Sequence, residues 1–382
     1  MIGSNQISSR NDHIGILDAL RGFLAFWVFY GHVKMASIGQ DVLWGSPALA
    51  VDGFMLLSGF LMAYHWILRE GRFESFRQQV KDFYIRRFFR IAPLYYVLLT
   101  VALVFQKELF RIKYTVNTLV PPPWKGRFMI FDNPIFQDVS LANILSHYSF
   151  TFGFIPKFSH SNILPDWSIG LEMQFYLIFP LLIILISRIG PFSVTFTSLM
   201  IAIATNKLFG LYQDPGILGK FSQPSFIFFK INYFLAGMSI AYALLSKDNR
   251  QKIAWLLLGA VSIYGSEVQV VIIAAVLVFL LIFDPENNEL ISKIGSWKVF
   301  KFFGDTSYSL YLVHLLIMYP ILYYLFEQSW FLAQSDGIRF IISMAIITPL
   351  VYGAAYLLFK TIEINGIRLG RNIIKKSSLS KQ

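Results

Sequence analysis

The chain contains no cysteine and little charge. None of its 382 residues is Cys and only 14% are Asp, Glu, Lys or Arg, whereas 55% are hydrophobic. The absence of cysteine excludes disulfides, a thiolate nucleophile and a Cys-ligated metal. The scarcity of charge, with a mean hydropathy of +0.56, excludes an ordinary soluble domain and predicts an all-α polytopic membrane protein. Any covalent chemistry therefore has to use Ser, His, Tyr or a carboxylate.

Ten apolar runs are long enough to cross a bilayer. A hydrocarbon core of about 30 Å needs roughly 20 helical residues. The runs lie at 16–35, 47–68, 89–106, 167–187, 192–209, 224–245, 251–265, 267–283, 302–325 and 338–360. No removable signal peptide precedes the first run, so we expect one integral-membrane domain over residues 1–382, interrupted by a long loop at 107–166.

The basic residues predict the orientation in the membrane. Segment 69–90 holds seven Lys or Arg and segment 361–382 is also basic, whereas the short loops 36–46 and 327–337 hold none. By the positive-inside rule, residues 1–15 and the tail 361–382 are cytoplasmic. The basic loop 107–166 then lies outside, an exception that long loops allow. Orientation in a lipid bilayer thus explains the net charge of +11, and no basic face with interleaved aromatics indicates nucleic acid.

The first span carries ionisable residues along one stripe. In "ILDALRGFLAFWVFYGH", residues 16–32, Arg21 and His32 are almost three whole helical turns apart, and Asp18 lies close to the same stripe. Counted from the cytoplasmic side, Arg21 lies about 8 Å deep and His32 about 24 Å deep. Ionisable groups inside spans are costly and usually functional. The helix therefore separates a cation and a base across the midplane.

Three further spans carry polar side chains at matching depths. These are Asp52 and Ser58 in the second span, Ser168, Glu172 and Tyr176 in the fourth, and Ser307, Tyr311 and His314 in the ninth. Depth counting brings both histidines and both carboxylates to the outer half of the bilayer. No helix shows metal-ligand spacing, so no metal is expected.

An arginine cluster opens the third span. "FYIRRFFRIAPLYYV" at 83–97 presents Arg86, Arg87 and Arg90 at the inner mouth, level with Arg21. Guanidinium groups are suited to binding phosphate, although simple anchoring explains many such clusters. The predicted architecture is polarised, with anion binding inside and acid–base groups outside.

These motifs together resemble acyltransferase family 3, bacterial membrane O-acyltransferases that modify surface polysaccharides. The resemblance rests on "LDALRGFLAFWVFYGH", "VDGFMLLSGFLMAY", "FYIRRFFRIAPLYY", "DWSIGLEMQFYLIFP" and "SYSLYLVH", in this order along nearly the whole chain. Arg21 and His32 match the family's first-span arginine and histidine, and Arg86, Arg87 and Arg90 match its basic motif. The chain resembles the stand-alone type, without an extracytoplasmic hydrolase-like domain.

The resemblance implies an inner-membrane enzyme that transfers an acyl group, usually acetyl, from cytoplasmic acyl-CoA to a hydroxyl of an extracytoplasmic glycan, such as a lipopolysaccharide, exopolysaccharide or oligosaccharide. Acyl-CoA is then a co-substrate, and no cofactor is bound permanently. The inner arginines would hold the CoA phosphates, and His32 would accept the hydroxyl proton. Asp52 or Glu172 would orient His32, with His314 as a second candidate acid–base group. Ser58, Trp167 or Tyr311 would donate to the oxyanion. Direct transfer and a covalent acyl-His or acyl-Ser intermediate both remain open.

Two other function classes compete with this interpretation. A proton-coupled transporter of a small anionic solute would also bury histidines, carboxylates and arginines, although no internal symmetry is seen. A partner-binding membrane protein without chemistry would need fewer embedded charges. Trp44, Trp124 and Trp330 are candidates for stacking on sugar rings, but an interfacial aromatic belt is the commoner explanation.

Overall fold

The structure is a computed structural model that describes residues 15–39, 46–120, 138–211, 216–282 and 297–379. Fourteen helices lie in this part of the chain. They are α1 (Gly15–Ile38), α2 (Pro47–Arg69), α3 (Phe76–Val104), α4 (Gln106–Leu119), α5 (Leu141–Tyr148), α6 (Trp167–Ile189), α7 (Pro191–Leu208), α8 (Ile231–Leu245), α9 (Asn249–Ser262), α10 (Val268–Ile282), α11 (Lys298–Phe326), α12 (Ser329–Leu332), α13 (Asp336–Leu358) and α14 (Ile364–Leu379). Trp44 and Trp124 lie outside the described residues.

The predicted all-α fold is confirmed. The described residues contain only two three-residue strands, β1 (Phe209–Leu211) and β2 (Gly219–Phe221), which pair in parallel. In the described part of the chain, six helices are long and apolar enough to cross a membrane: α1, α2, α3, α6, α11 and the continuous α13–α14 segment. They correspond to the predicted spans one to four, nine and ten. Helices α7 to α10 occupy the predicted spans five to eight but are shorter or less apolar, so the count of ten stays a prediction.

Local sequence signals set several helix ends. Ser46 caps α2 by accepting the Ala48 N–H at 3.1 Å, and Pro47 follows at the first helical position, where its missing N–H costs nothing. Gly190 has a φ of 85°, so the chain turns sharply between α6 and α7. These signals set where α2 begins and where α6 ends.

Reciprocal glycines bring two pairs of helices into close contact. A Cβ at Gly59 on α2 would overlap the carbonyl oxygen of Phe234, and one at Gly237 on α8 would overlap that of Leu56. In the same way, Gly22 on α1 and Gly304 on α11 face each other's backbones. Membrane helices associate mainly by such small-residue packing, because lipid is as apolar as leucine. The α1–α11 contact is the one that brings His32 to His314.

The segment predicted as a basic tail continues the last span as a helix. One π-helical turn, Phe359–Glu363, joins α13 to α14. Gly366 and Gly370 place α14 against Phe89 and Pro93 of α3, since a Cβ at Gly366 would lie 2.7 Å from the Pro93 ring. This GxxxG spacing is typical of tightly packed membrane helices.

The long loop 107–166 contributes helices of its own. Helix α4 packs against α11, and its Lys113 is only 5% exposed, with Nζ 5.8 Å from the centroid of the Tyr319 ring. Lys113 is one of the basic residues that make this loop an exception to the positive-inside rule. Its ammonium group lies over aromatic rings instead of being fully hydrated.

Candidate active site

His32 and His314 form a hydrogen-bonded pair between α1 and α11. Nδ1 of His32 lies 3.0 Å from Nε2 of His314, and the two rings stack with centroids 5.1 Å apart. His314 is fully buried, whereas His32 is half-buried. The two predicted acid–base histidines are thus brought together.

The hydrogen bonds around His314 assign the protons of the pair. Nδ1 of His314 lies 2.8 Å from the Tyr311 carbonyl oxygen and 3.2 Å from that of Leu310. Carbonyls only accept, so Nδ1 of His314 must carry a proton. In the neutral ring Nε2 then accepts from Nδ1–H of His32, which leaves Nε2 of His32 with its lone pair. This arrangement, assigned from the network, is the tautomer that a general base at His32 requires.

Glu172 belongs to a second hydrogen-bonded group. The Ser58 hydroxyl donates to Oε1 of Glu172 at 3.1 Å, and the Tyr176 hydroxyl donates to the same oxygen. The predicted i, i+4 spacing of Glu172 and Tyr176 on α6 therefore produces a contact. Ser58 comes from α2, so this group links two spans.

Ser168 and Tyr311 form a third group. Their hydroxyls lie 2.6 Å apart, and Tyr311 also donates to the Pro165 carbonyl oxygen at 2.8 Å. The Tyr311 ring centroid is 6.2 Å from that of His314. Trp167, the adjacent predicted donor, packs against the apolar core and lines neither of the two cavities described below.

Asp52 pairs with a lysine. Nζ of Lys230 lies 2.8 Å from Oδ1 of Asp52 and 2.9 Å from Oδ2, and the carboxylate is almost fully buried. The orienting contact to His32 that we predicted for Asp52 or Glu172 comes instead from His314. Asp52 is paired with Lys230, and Glu172 accepts hydrogen bonds from Ser58 and Tyr176. A buried carboxylate needs such nearby partners because burial removes its hydration.

A basic pocket of about 250 Å³ lies between α2, α3 and α14. Five arginines line it: Arg69, Arg86, Arg87, Arg90 and Arg371. Asp82 in its wall contacts Nε of Arg86 at 2.7 Å. The predicted cluster of Arg86, Arg87 and Arg90 therefore surrounds one concave site, as anion binding requires.

A second cavity of about 210 Å³ lies next to the basic pocket and shares part of its lining. His65, Arg87 and Arg90 line both spaces and form the neck between them. Along α2 the lining runs from His65 to Val51, about 21 Å of helix rise. We call this space the inner cavity.

The inner cavity gathers most of the predicted polar residues. Its lining includes Arg21, Ser58, Ser168, Glu172, Tyr176, Ser307 and Tyr311. The histidine pair does not line it but lies directly behind Tyr311. The cavity thus joins the arginines at one end to the neighbourhood of the histidines at the other.

Three of the predicted arginines have acidic neighbours. Arg21 lies 3.6 Å from Asp18 on the same helix, and Arg86 pairs with Asp82 as described above. Arg90 contacts the fully buried Glu363 at 2.9 Å. Arg87 instead stacks over the Tyr176 ring, 5.6 Å from its centroid.

Sequence reasoning missed Glu363 and Lys230. Glu363 stands alone among basic residues in "KTIEINGIRLGR", directly before the two glycines that pack on α3. Lys230 is a lone cation at the edge of the sixth apolar run. An isolated charge of this kind in an apolar or oppositely charged segment is the available signal, because it must find a partner.

Outside the spans, His147 and Asp166 connect the loop to the site. Nε2 of His147 lies 3.5 Å from Oδ2 of Asp166, which also accepts from the Tyr95 hydroxyl at 3.1 Å. Burial lowers the pKa of His147 to about 4 and raises the pKa of Asp166 to about 7. His147 is therefore uncharged at neutral pH. Asp166 immediately precedes α6 and lies two residues before Ser168.

Comparison with known proteins identifies the family. A family model described as an acyltransferase domain matches residues 14–360, which include both histidines and every predicted site residue. The chain belongs to acyltransferase family 3. No solved structure matches it significantly. Within the described residues, no group of three metal-binding side chains is present.

The chain is similar to several curated proteins, of which three are described. The chain is 25% identical to O-acetyltransferase OatA of Staphylococcus aureus (strain MRSA252), over 95% of this chain and 59% of that protein. It is 29% identical to acyltransferase MdmB of Streptomyces mycarofaciens over 45% of this chain and 40% of that protein. It is 25% identical to "Regulator of hypoxia-inducible factor 1" of Caenorhabditis elegans over 48% of this chain and 36% of that protein. The chain thus spans between about a third and three fifths of the length of these relatives.

Proposed function

We propose that this protein is a membrane O-acyltransferase that moves an acyl group, most simply acetyl, from acyl-CoA to a hydroxyl of a glycan on the other side of the bilayer. The observation that carries the proposal is the basic pocket, which shares His65, Arg87 and Arg90 with the inner cavity, whose lining includes Tyr311, 6.2 Å from the ring centroid of His314. Family membership and the similarity to OatA support the reaction class. The positive-inside pattern supports a cytoplasmic basic pocket. The similarity to bacterial acyltransferases supports placing the protein in a bacterial inner membrane.

The donor binds with its phosphates in the basic pocket. Guanidinium groups bind phosphate in bidentate geometry and stay charged when partly buried. The thioester arm passes the neck at Arg87 and Arg90 and extends along the inner cavity. A cavity whose lining extends about 21 Å along α2 fits a flexible chain better than a compact solute, and this length favours a thioester donor over a transported anion.

His32 acts as the general base. Its Nε2 takes the proton of the glycan hydroxyl as the hydroxyl oxygen attacks the thioester carbonyl, and the CoA thiol then leaves with a proton. His314 accepts from Nδ1–H of His32 and stabilises the imidazolium, the role that a carboxylate has in a serine-hydrolase triad. To stabilise the developing oxyanion, Ser168 or Tyr311 has to turn its hydroxyl away from its present acceptor and into the cavity, because each hydroxyl has only one proton to donate.

Transfer through a covalent acyl-enzyme uses the same residues. His32 is then the nucleophile, or Ser58 with Glu172 as its base, since Ser58 already donates to this carboxylate. Intact-mass measurement after incubation with acetyl-CoA and no acceptor distinguishes the two routes, because only the covalent route adds an acetyl group to the chain.

The test is acyl transfer from radiolabelled acetyl-CoA by purified protein in nanodiscs, with a glycan acceptor. We expect His32→Ala to lower kcat by about 10²- to 10⁴-fold, because general base catalysis contributes that range. His160→Ala, which changes a histidine that lines neither cavity, is the matched control and keeps normal turnover. Near-normal transfer by His32→Ala contradicts the assignment of the base. Solute uptake by vesicles without any transfer favours the transporter instead.

A further inference from the structure

Helix α14 supplies one wall of the basic pocket. Ile367 and Arg371 line this pocket together with residues of α2 and α3. The close packing of Gly366 and Gly370 on α3 fixes the side of α14 that faces the pocket. The pocket is therefore completed by a segment that lies beyond residue 360, where the family match ends.

The five arginines of the pocket differ in how their charge is compensated. Asp82 lies 2.7 Å from Arg86 and 3.9 Å from Arg69, and Glu363 lies 2.9 Å from Arg90. Arg87 and Arg371, by contrast, have no carboxylate within 4.0 Å among the residues that the structure describes. These two guanidinium groups are the ones left to an anionic ligand.

The two uncompensated arginines occupy different positions. Arg87 lines both the basic pocket and the inner cavity, so it stands at the neck. Arg371 lines only the basic pocket and not the inner cavity. In coenzyme A the thioester arm is joined to a diphosphate, and a separate monophosphate is carried farther away on the ribose 3′ position. An arm that passes the neck therefore leaves the diphosphate near Arg87 and the 3′-phosphate in the outer part of the pocket.

We propose that Arg371 binds the 3′-phosphate of the CoA donor and thereby selects coenzyme A over donors that lack this group. The inference rests on the proposed function and deepens it. A 3′-phosphate is close to doubly charged at neutral pH, and a guanidinium offers it two parallel donors. Arg371 is a donor-binding residue in this scheme and takes no part in acyl transfer.

The experiment compares two donors, acetyl-CoA and acetyl-3′-dephospho-CoA, with wild-type protein and Arg371→Gln. Because one charge-assisted contact changes affinity by about tenfold or more, we expect the wild type to show a KM about tenfold lower for acetyl-CoA. In Arg371→Gln the two KM values become equal, while kcat with either donor is unchanged. Arg371→Lys gives an intermediate ratio, since it keeps the charge but loses the bidentate geometry.

Arg368→Gln is the matched control. Arg368 lies on the same helix, is exposed, donates to Asn365 and lines neither cavity. We expect this variant to discriminate between the donors as the wild type does. Thermal unfolding of each variant shows whether it is folded. Displacement of a fluorescent nucleotide by adenosine 3′,5′-bisphosphate measures binding without turnover and is expected to weaken about tenfold in Arg371→Gln only.

Each failure has a separate meaning. A wild type that uses acetyl-CoA but does not discriminate against the dephospho donor, or an Arg371→Gln variant that keeps the tenfold ratio, overturns this inference and leaves the proposed function intact. A wild type that neither uses acetyl-CoA nor binds the bisphosphate overturns both. The measurements are made in phosphatidylcholine nanodiscs with and without phosphatidylglycerol. A ratio that depends on the anionic lipid assigns Arg371 to a lipid headgroup and overturns the inference.

Discussion

At the residue scale, the hydrogen-bond partner of His32 is a second histidine, His314, where we predicted a carboxylate. His314 is held by two backbone carbonyls of its own helix, so its protonation pattern does not depend on a distant partner. A carboxylate at the same place would be a buried charge next to an uncharged base and would need a further cation. The histidine pair avoids this cost and still leaves Nε2 of His32 unprotonated.

The His314 assignment predicts a difference between two substitutions. His314→Phe removes the acceptor for Nδ1–H of His32, so we expect kcat to fall by about 10²-fold or more. His314→Gln keeps an oxygen that can accept this proton and should retain clearly more activity. Steady-state transfer assays on both variants make the comparison, and equal losses in kcat would show that His314 acts through packing alone.

The Asp52–Lys230 pair predicts a stability pattern. Lys230→Met leaves the Asp52 carboxylate buried without its cation, and we expect a loss of about 3–5 kcal/mol in the free energy of unfolding. Asp52→Asn combined with Lys230→Met removes both charges and should recover most of this loss. Thermal unfolding in detergent measures the effect. If the stable double variant lacks transfer activity, the carboxylate has a catalytic role beyond this pair.

At the element scale, small residues decide which helices touch. The glycine contacts of α2 with α8 and of α1 with α11 bring backbones together, and α1, α2 and α11 carry His32, Ser58 and His314 of the site. The hydrophobic pattern of each span is nearly uniform, so it says little about which face meets which neighbour. Helix α14 is an exception, because the GxxxG spacing of Gly366 and Gly370 allows its packing face to be recognised from the sequence.

Alanine substitutions at two glycines test this packing. Gly237→Ala places a methyl group against the carbonyl of Leu56, and we expect a loss of about 1–3 kcal/mol from overpacking. Gly353→Ala on α13 adds its methyl group where no atom lies within 4 Å, so this matched variant should be neutral or gain up to about 1 kcal/mol. Unfolding temperatures in one detergent compare the two, and equal values would contradict the close α2–α8 contact.

At the scale of the whole molecule, the site runs from a basic pocket through a neck to a histidine pair. Five arginines line the basic pocket at one end of the site. The hydroxyls of Ser168 and Tyr311 and the imidazoles of His32 and His314 lie at the other end. This polarity fits a reaction whose two substrates arrive from opposite sides of a membrane. Successive spans run in opposite directions through the membrane. Residues at the same depth therefore lie near the start of one helix and near the end of the next, and together they form each end of the site.

The orientation can be tested by labelling, because the chain has no native cysteine. We expect Gln328→Cys, after α11, to react with a membrane-impermeant maleimide in intact bacterial cells. Lys376→Cys, near the end of α14, should react only after the membrane is permeabilised. The opposite pattern would invert the orientation, and labelling of both positions in intact cells would place the two sites on one side.

Much of this protein follows from its sequence alone. Long apolar runs without cysteine determine a helical membrane protein, since only satisfied backbones can cross lipid. Counting depth along those runs predicts Arg21 near the cytoplasmic side and His32 beyond the midplane. The i, i+4 spacing of Glu172 and Tyr176 predicted a contact that the structure contains. These properties are local, because helix rise and periodicity are fixed by the backbone.

Only the tertiary structure decided the partners. His314 rather than Asp52 faces His32, Lys230 compensates Asp52, and Glu363 and Arg371 reach the arginine pocket from the end of the chain. Such contacts depend on the rotation of each helix about its axis and on the choice of neighbours. Both are set by packing between residues far apart in sequence, which periodicity along a single helix does not encode.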